Sequence, residues 1–285
     1  MSLVEATKRY VGDDRFRVRL LDVVAQETQR VLQVLADQEV SAGARWSEDE
    51  FRRRIGAYDG AFADLVQAVA LIGYWGGRCS SETLLHGIKR TCDRMESGGT
   101  TGWLNLQWYP PLLLFYAAGI AAIAAGKFDT LLTLMHAPVR VSDGRHEKLV
   151  LATTSGFADG AQSFKLLPGL DRKHVPFSEH VYELLRRLLE DVLHLGSDLD
   201  LAFDTFEVFR AMQYAHLSER GWAPIGRFGW RIRYDEGPWK VLMKDVEGAG
   251  ESWPPLAAGL CGGSRQRFKE VAEQLVAVIA RHPWF

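Results

Sequence analysis

The chain reads as mainly α: a helical bundle in one or two packed sections, with one or two small β-hairpins. Three observations predict this. Apolar residues recur four and three apart through several long windows. Capping patterns open those windows. Residues Ser97 to Gly126 form a thirty-residue stretch without a charged side chain. The uncharged stretch forces a choice between a membrane span and a buried core helix, and the other elements follow from that choice.

From the N-terminus, Asp13 to Gln38 reads as a helix with Phe16, Leu20, Val24, Val31 and Leu35 on one stripe. The polar run Gln26 to Arg30 interrupts that stripe, so the element is expected to be a linker helix or a dimerising arm. The next helix is opened by Ser47 and Glu50 as a capping box, with Trp46 and Phe51 as a hydrophobic staple. Phe51, Ile55, Tyr58, Phe62, Leu65, Val69 and Ile72 then make a bundle seam, which Gly73, Gly76 and Gly77 end. A shorter helix is expected from Ser81 to Met95.

Pro110 and Pro111 suit the first turn of a helix and not its interior, so the apolar helix begins there. Gly126 stops it and Lys127 complements its negative end. About 16 residues remain, or roughly 24 Å at 1.5 Å per residue, short of the roughly 30 Å of hydrocarbon in a bilayer. No basic cluster flanks the segment. A helix apolar on every face then belongs at the centre of a bundle. Burying Leu112, Leu113, Leu114, Phe115, Ile120 and Ile123 contributes about 9–18 kcal/mol as an upper bound.

A further helix is predicted over Phe128 to His136. Val139 and Val141, the turn Ser142-Asp143-Gly144, and Leu149 with Leu151 predict a small hairpin. Ser155 to Pro176 is rich in Gly and turn residues and marks a boundary or exposed loop. A second helical section opens at Ser178 with a Phe177–Tyr182 staple, its apolar face being Val181, Leu184, Leu185, Leu188, Val192 and Leu195. Asp204 with Glu207 resembles a cap for a helix running through Phe206, Phe209, Met212 and Leu217. A hairpin over Phe228 to Val246 and a final helix, Ser264 to Arg281, complete the chain. The expected division is 1–45 as N-terminal helix or linker, 46–160 as a section around the buried helix, and 161–285 as a section with a basic hairpin.

Composition narrows the function classes. Apolar content of 47% and charged content of 25% are ordinary for a globular protein. A net charge of −2 gives no global attraction to nucleic acid or acidic lipid. Cys79, Cys92 and Cys261 are odd in number and lack CxxC spacing, against a disulfide framework or a zinc site. The charged N-terminus lacks the apolar core of a signal peptide, and a cytoplasmic location without membrane contact is expected. The chain lacks HExxH, GxSxG, SxxK, P-loop and GxGxxG patterns, and no metal or cofactor is expected.

The candidate site is the basic face of the second hairpin. With Asp235-Glu236-Gly237-Pro238 as its turn, strand alternation puts Arg231, Arg233, Lys240 and Lys244 on one side, where they would hold phosphates of a nucleotide or nucleic acid. Trp230, Ile232, Tyr234, Trp239, Val241 and Met243 fall on the other side. Arg52, Arg53 and Arg54 read as a solvated helix face. Asp198, Asp200 and Asp204, with Glu190, Asp191 and Glu207, form an acidic cluster without a calcium-loop pattern. His146 and His174 are general-base candidates without an adjacent nucleophile.

The block Trp222-Ala-Pro-Ile-Gly-Arg-Phe-Gly-Trp-Arg231 resembles helical modules at the C-terminal ends of bacterial multidomain proteins, some of which accompany defence effectors. The similarity spans roughly Phe203 to Arg231. Strong packing signals without catalytic motifs point to a non-enzymatic interaction or sensor module of a bacterial cytoplasmic protein, with a protein partner or a fused effector domain, and the resemblance fits that expectation. Two alternatives stand beside it: phosphate binding through the basic hairpin face, and a hydrolase whose site is dispersed over His146, His174 or Asp198.

Overall fold

The computed structural model describes residues 1–38, 40–77, 80–158, 160–218, 220–234 and 237–281, and for Arg233 the backbone alone. The chain is a mainly α bundle with one small two-stranded antiparallel sheet among the described residues. Its centre is α6, Tyr109–Ala124, buried without a break from Tyr109 to Ala122. Among the described residues two helical stretches are long and apolar enough to cross a membrane; the apolar window within residues 101–124 is 89% buried by protein.

Around α6 lie α3, Glu48–Trp75, and α10, Asp198–Leu217, its two most extensive partners. Small residues set these crossings. A Cβ at Gly73 of α3 would stand 2.7 Å from the Ala118 carbonyl oxygen, and one at Gly119 would stand 2.2 Å from the Phe206 ring. The start of α3 follows the predicted staple: Trp46 and Phe51 lie 5.6 Å apart, and the Glu50 backbone N–H donates to Ser47 Oγ. The Lys127 ammonium, beyond the end of α6, donates to the Gly76 carbonyl at 2.8 Å and so joins the ends of the two helices.

An unanticipated first helix, α1 (Leu3–Tyr10), is opened by a full Ser2–Glu5 capping box. It packs on α2, Arg17–Asp37, and on α3. The α2 stripe Leu20, Val24, Val31 is buried against α3 and α4, Ser81–Asp93, so an element read as a linker or dimerising arm is part of the core. The remaining elements follow in chain order: α5, Thr101–Leu106; α7, Phe128–His136; strands β1, Pro138–Arg140, and β2, His146–Lys148; α8, Leu149–Phe157; α9, Pro176–Leu193. After α10 come α11, Phe228–Arg233; α12, Trp239–Ala249; α13, Pro254–Ala257; and α14, Arg265–Arg281.

Four expectations are corrected. Leu149 and Leu151 open α8 and do not extend the hairpin, whose register pairs Val139 with Glu147. Residues 228–246 do not form a hairpin: α11 and α12 lie there, with Gly237 at φ +79° between them. Trp239, Leu242, Met243 and Val246 recur at i, i+3, i+4 and i+7, and that helical period, with Pro238 at the N-cap, prevails over strand alternation. Ser178 does not open α9; Pro176 does, and Ser178 is buried within the first turn. Asp204 and Glu207 do not cap α10, which starts at Asp198 with Asp198 and Asp200 in its first turn. The D-x-x-E spacing of a cap is also the i, i+3 spacing of one helix face.

Candidate functional site

On α10, Asp204, Glu207 and Arg210 are spaced three apart and interleaved with Phe203, Phe206 and Phe209. All six are buried, so this helix carries charge into the core. Burying charge is costly unless partners arrive from other elements. Here they come from α6, α8, α9, the segment Trp222–Arg227 and α11.

Glu207, 2% exposed, anchors the arrangement. Its Oε1 accepts from Ser178 Oγ at 2.7 Å and from the Tyr116 hydroxyl at 3.0 Å. The Arg210 guanidinium donates through Nη1 to the Tyr116 oxygen at 3.1 Å and through Nη2 to Thr154 Oγ1 at 3.0 Å. Ser178 Oγ in turn accepts the Arg227 backbone N–H at 2.9 Å. Burial pushes the Glu207 carboxyl up to about 7, against the two hydroxyl donors and Arg210 that favour its charge. Burial and the nearby Glu207 carboxylate lift the Tyr116 phenol well above its ordinary range.

Two polar atoms of this network lack a partner: Glu207 Oε2 and Arg210 Nε. A buried polar atom left in that state costs about 1–3 kcal/mol. Both residues line a cavity of about 190 Å³ together with Tyr116, Thr154 and Ser178. Phe157, Phe177, Trp222, Pro224 and Ile225 supply its apolar walls, with Gln162 and His174 also lining it. Part of the region expected to be an exposed loop thus forms a wall of the cavity. The Trp222–Gly226 segment, inside the block that carries the sequence resemblance, also lines it. Gly226 lies so close to Glu207 that a Cβ there would stand 2.1 Å from Oε2.

Beside the cavity Asp204 is fully buried between Arg227 Nε at 3.3 Å and Arg231 Nε at 2.9 Å. Burial still holds its carboxyl up at about 6, outweighing both guanidiniums. The Arg227 guanidinium lies 3.6 Å from the centre of the Tyr182 ring, whose hydroxyl donates to Asp200. Arg227 therefore braces the cavity wall twice, by its backbone at Ser178 and by its side chain at Asp204.

The four basic residues expected to form one phosphate-binding face are arranged differently. Arg231 turns inward to Asp204; Lys240 and Lys244 are exposed on α12. The Arg233 side chain lies outside the described residues, as do Asp235 and Glu236 of the expected turn. Without a hairpin, strand alternation does not gather these side chains. In the arginine run, Arg52 pairs with Glu48 and Asp49, and Arg53 with Glu50. Arg54 departs from the solvated face: it is 2% exposed, donates to Glu50 at 2.7 Å and stacks 4.0 Å from the Trp103 ring centre.

His146 is exposed on β2 and Asp198 is exposed in the first turn of α10, while His174 lines the cavity. Glu190 accepts the Gly196 N–H, and among the described residues no three of His, Cys, Asp and Glu converge as metal ligands. Cys92 and Cys261 are buried thiols pushed up to about 12 by desolvation; Cys79 lies outside the described residues. A second polar cluster sits behind the aromatic wall. The Tyr109 hydroxyl donates to Asp59 and lies 3.1 Å from His180 Nε2, and its ring neighbours Phe157 and Phe177.

Sequence reasoning missed the Glu207–Arg210 pair by reading Glu207 as part of a cap. The available signal was a charged residue every third position in a phenylalanine-rich helix, a pattern with no face left for solvent. Comparison of the chain with family models, with curated proteins and with solved structures finds no match.

Proposed function

We propose that this chain is an interaction or sensor module that takes a small ligand into the Glu207–Arg210 cavity and reports its occupancy to a protein partner or fused effector domain. The observation that carries the reading is the pair of unpartnered buried atoms, Glu207 Oε2 and Arg210 Nε, on residues lining one cavity with an apolar wall. A cavity with apolar sides and a few convergent polar groups is how small-molecule sites are built. The Trp222–Gly226 wall gives a route for the report, because it continues directly into Arg227, α11 and α12. A thermal-shift screen of small metabolites on wild type and on Ala161→Trp, a bulky substitution in the cavity lining, tests it. Hits that stabilise the wild type and lose their effect in the variant support the reading. A screen without hits, or hits indifferent to Ala161→Trp, overturns it.

A hydrolase is the second reading, favoured by one distance: Ser178 Oγ donates to Glu207 at 2.7 Å, the geometry of a hydroxyl beside a general base. It predicts turnover of p-nitrophenyl esters that disappears in Ser178→Ala. Turnover absent from the wild type removes it.

A further inference from the structure

A second cavity, sharing no lining residue with the first, lies where the last turns of α2 and α4 meet the start of α6. Its volume is about 290 Å³, and Leu32, Leu35, Val40, Met95 and Pro110 give it apolar walls. Tyr58 reaches it from α3, and Arg94, the C-cap of α4, lines it together with Glu96.

The polar groups here are within reach of a ligand. Arg94 and Glu96 are exposed. Arg90 takes Asp93, and among the described residues neither Arg94 nor Glu96 is in an ion pair. Glu96 is nevertheless held in place. Its Oε1 accepts the Ala42 N–H at 2.9 Å and its Oε2 accepts from Ser41 Oγ at 3.4 Å, while Gln107 Oε1 accepts its backbone N–H. Each carboxylate oxygen keeps room for a further bond. Tyr58 is 5% exposed, and its hydroxyl has no hydrogen-bond partner among the described residues. That hydroxyl is not among the partnerless atoms sealed from solvent. Burial pushes the phenol up to about 12, so it stays a donor.

The free groups are thus two donors, the Arg94 guanidinium and the Tyr58 hydroxyl, and one anchored acceptor of negative charge. A carboxylate suits the donors and an ammonium suits Glu96. The charges of Arg94 and Glu96 cancel, so a ligand with a single charge leaves one of them unmatched. The walls favour an apolar side chain, and an apolar cavity of about 150 Å³ already accepts benzene. An α-amino acid joins all three parts on one carbon, whereas a peptide puts its ammonium and carboxylate on different residues. We propose that this cavity binds a free α-amino acid with an apolar side chain, its carboxylate toward Arg94 and Tyr58 and its ammonium toward Glu96.

Calorimetric titration of the full chain with L-leucine and L-methionine tests the class. The comparators are L-leucinamide, which lacks the carboxylate, isocaproate, which lacks the ammonium, and glycine, which lacks the side chain. Leucine or methionine is expected to bind at least about tenfold tighter than each comparator, a margin that hydrogen bonds to charged groups supply. Arg94→Ala is expected to erase the margin over leucinamide, and Glu96→Gln the margin over isocaproate. Tyr58→Phe is expected to weaken amino-acid binding about threefold or more. The wild-type ligand series decides the class even where a variant fails to fold. Absence of amino-acid binding, or a margin below about tenfold over any comparator, overturns the proposal. Margins that survive Arg94→Ala or Glu96→Gln overturn it as well, and binding unchanged in Tyr58→Phe removes the phenol from the site.

Discussion

The Glu207 carboxylate rests on the α-carbon of Gly226: a methyl group at that position would stand 2.1 Å from Oε2 and 2.2 Å from Oε1. The contact holds the cavity wall against its one buried acid, and only a residue without a side chain permits it. The backbone torsion at Gly226 is not the constraint, since its φ is not among the positive ones. Gly226→Ala should therefore destabilise the protein by about 1–3 kcal/mol through overpacking and suppress ligand-induced thermal shifts. Gly12→Ala, where open space surrounds the new methyl, should change stability by less than about 0.5 kcal/mol. Urea denaturation of both variants measures the contrast; equal losses would disprove it.

Stability should fall as pH rises from the ordinary glutamate range through neutrality. The Glu207 carboxyl is held at about 7 against an ordinary 4.5. Between those values the folded chain keeps a proton that the unfolded chain has released. The stabilisation is complete below 4.5 and is lost as pH rises through about 7, amounting to about 3 kcal/mol. Asp204, held at about 6, adds in the same direction. Glu50, pulled down to about 2 by Arg53 and Arg54, has the opposite sign and acts only in the acid range below 4.5. Glu207→Gln should flatten the dependence between pH 4.5 and 7, which melting curves across that range would read.

Asp204 pairs with two guanidiniums, those of Arg227 and Arg231. Asp204→Ala leaves Arg227 and Arg231 facing each other in a buried setting and should cost about 3–5 kcal/mol. Arg231→Ala leaves Asp204 still paired with Arg227, and the Arg231 side chain is 19% exposed, so its loss should be smaller. Guanidinium denaturation of the single and double variants gives the coupling. A double variant that simply adds the single losses would show that the pair does not interact.

Helix glycines normally gain stability on conversion to alanine, by about 1 kcal/mol. Gly73→Ala should reverse that sign, because its methyl would meet the Ala118 carbonyl oxygen at 2.7 Å, a backbone atom within a core crossing. Overpacking of about 1–3 kcal/mol outweighs the propensity gain. Gly56 of α3, with open space at its Cβ, should show the ordinary gain. Thermal denaturation of the two variants separates the effects.

Much of the architecture could be read directly. The Trp46–Phe51 staple, the α3 seam and the double proline opening α6 depend on spacing within one element. The bounds of α7 match the predicted ones for the same reason. Local rules misled where one residue pattern satisfies two structures. Phe228 to Val246 alternates like a strand and also repeats like a helix. Asp204 and Glu207 match a cap and also a helix face.

What the sequence alone determined is that α6 lies at the centre of a helical bundle, because a segment apolar on all sides has to be enclosed by other side chains. What only the tertiary structure decided is the cavity. Glu207 depends on Tyr116, Ser178 and Gly226, and Arg210 on Tyr116 and Thr154, and these partners lie up to 94 positions away in the chain. A buried charge is tolerable only through partners brought by long-range packing, and the spacing within one helix contains no record of them.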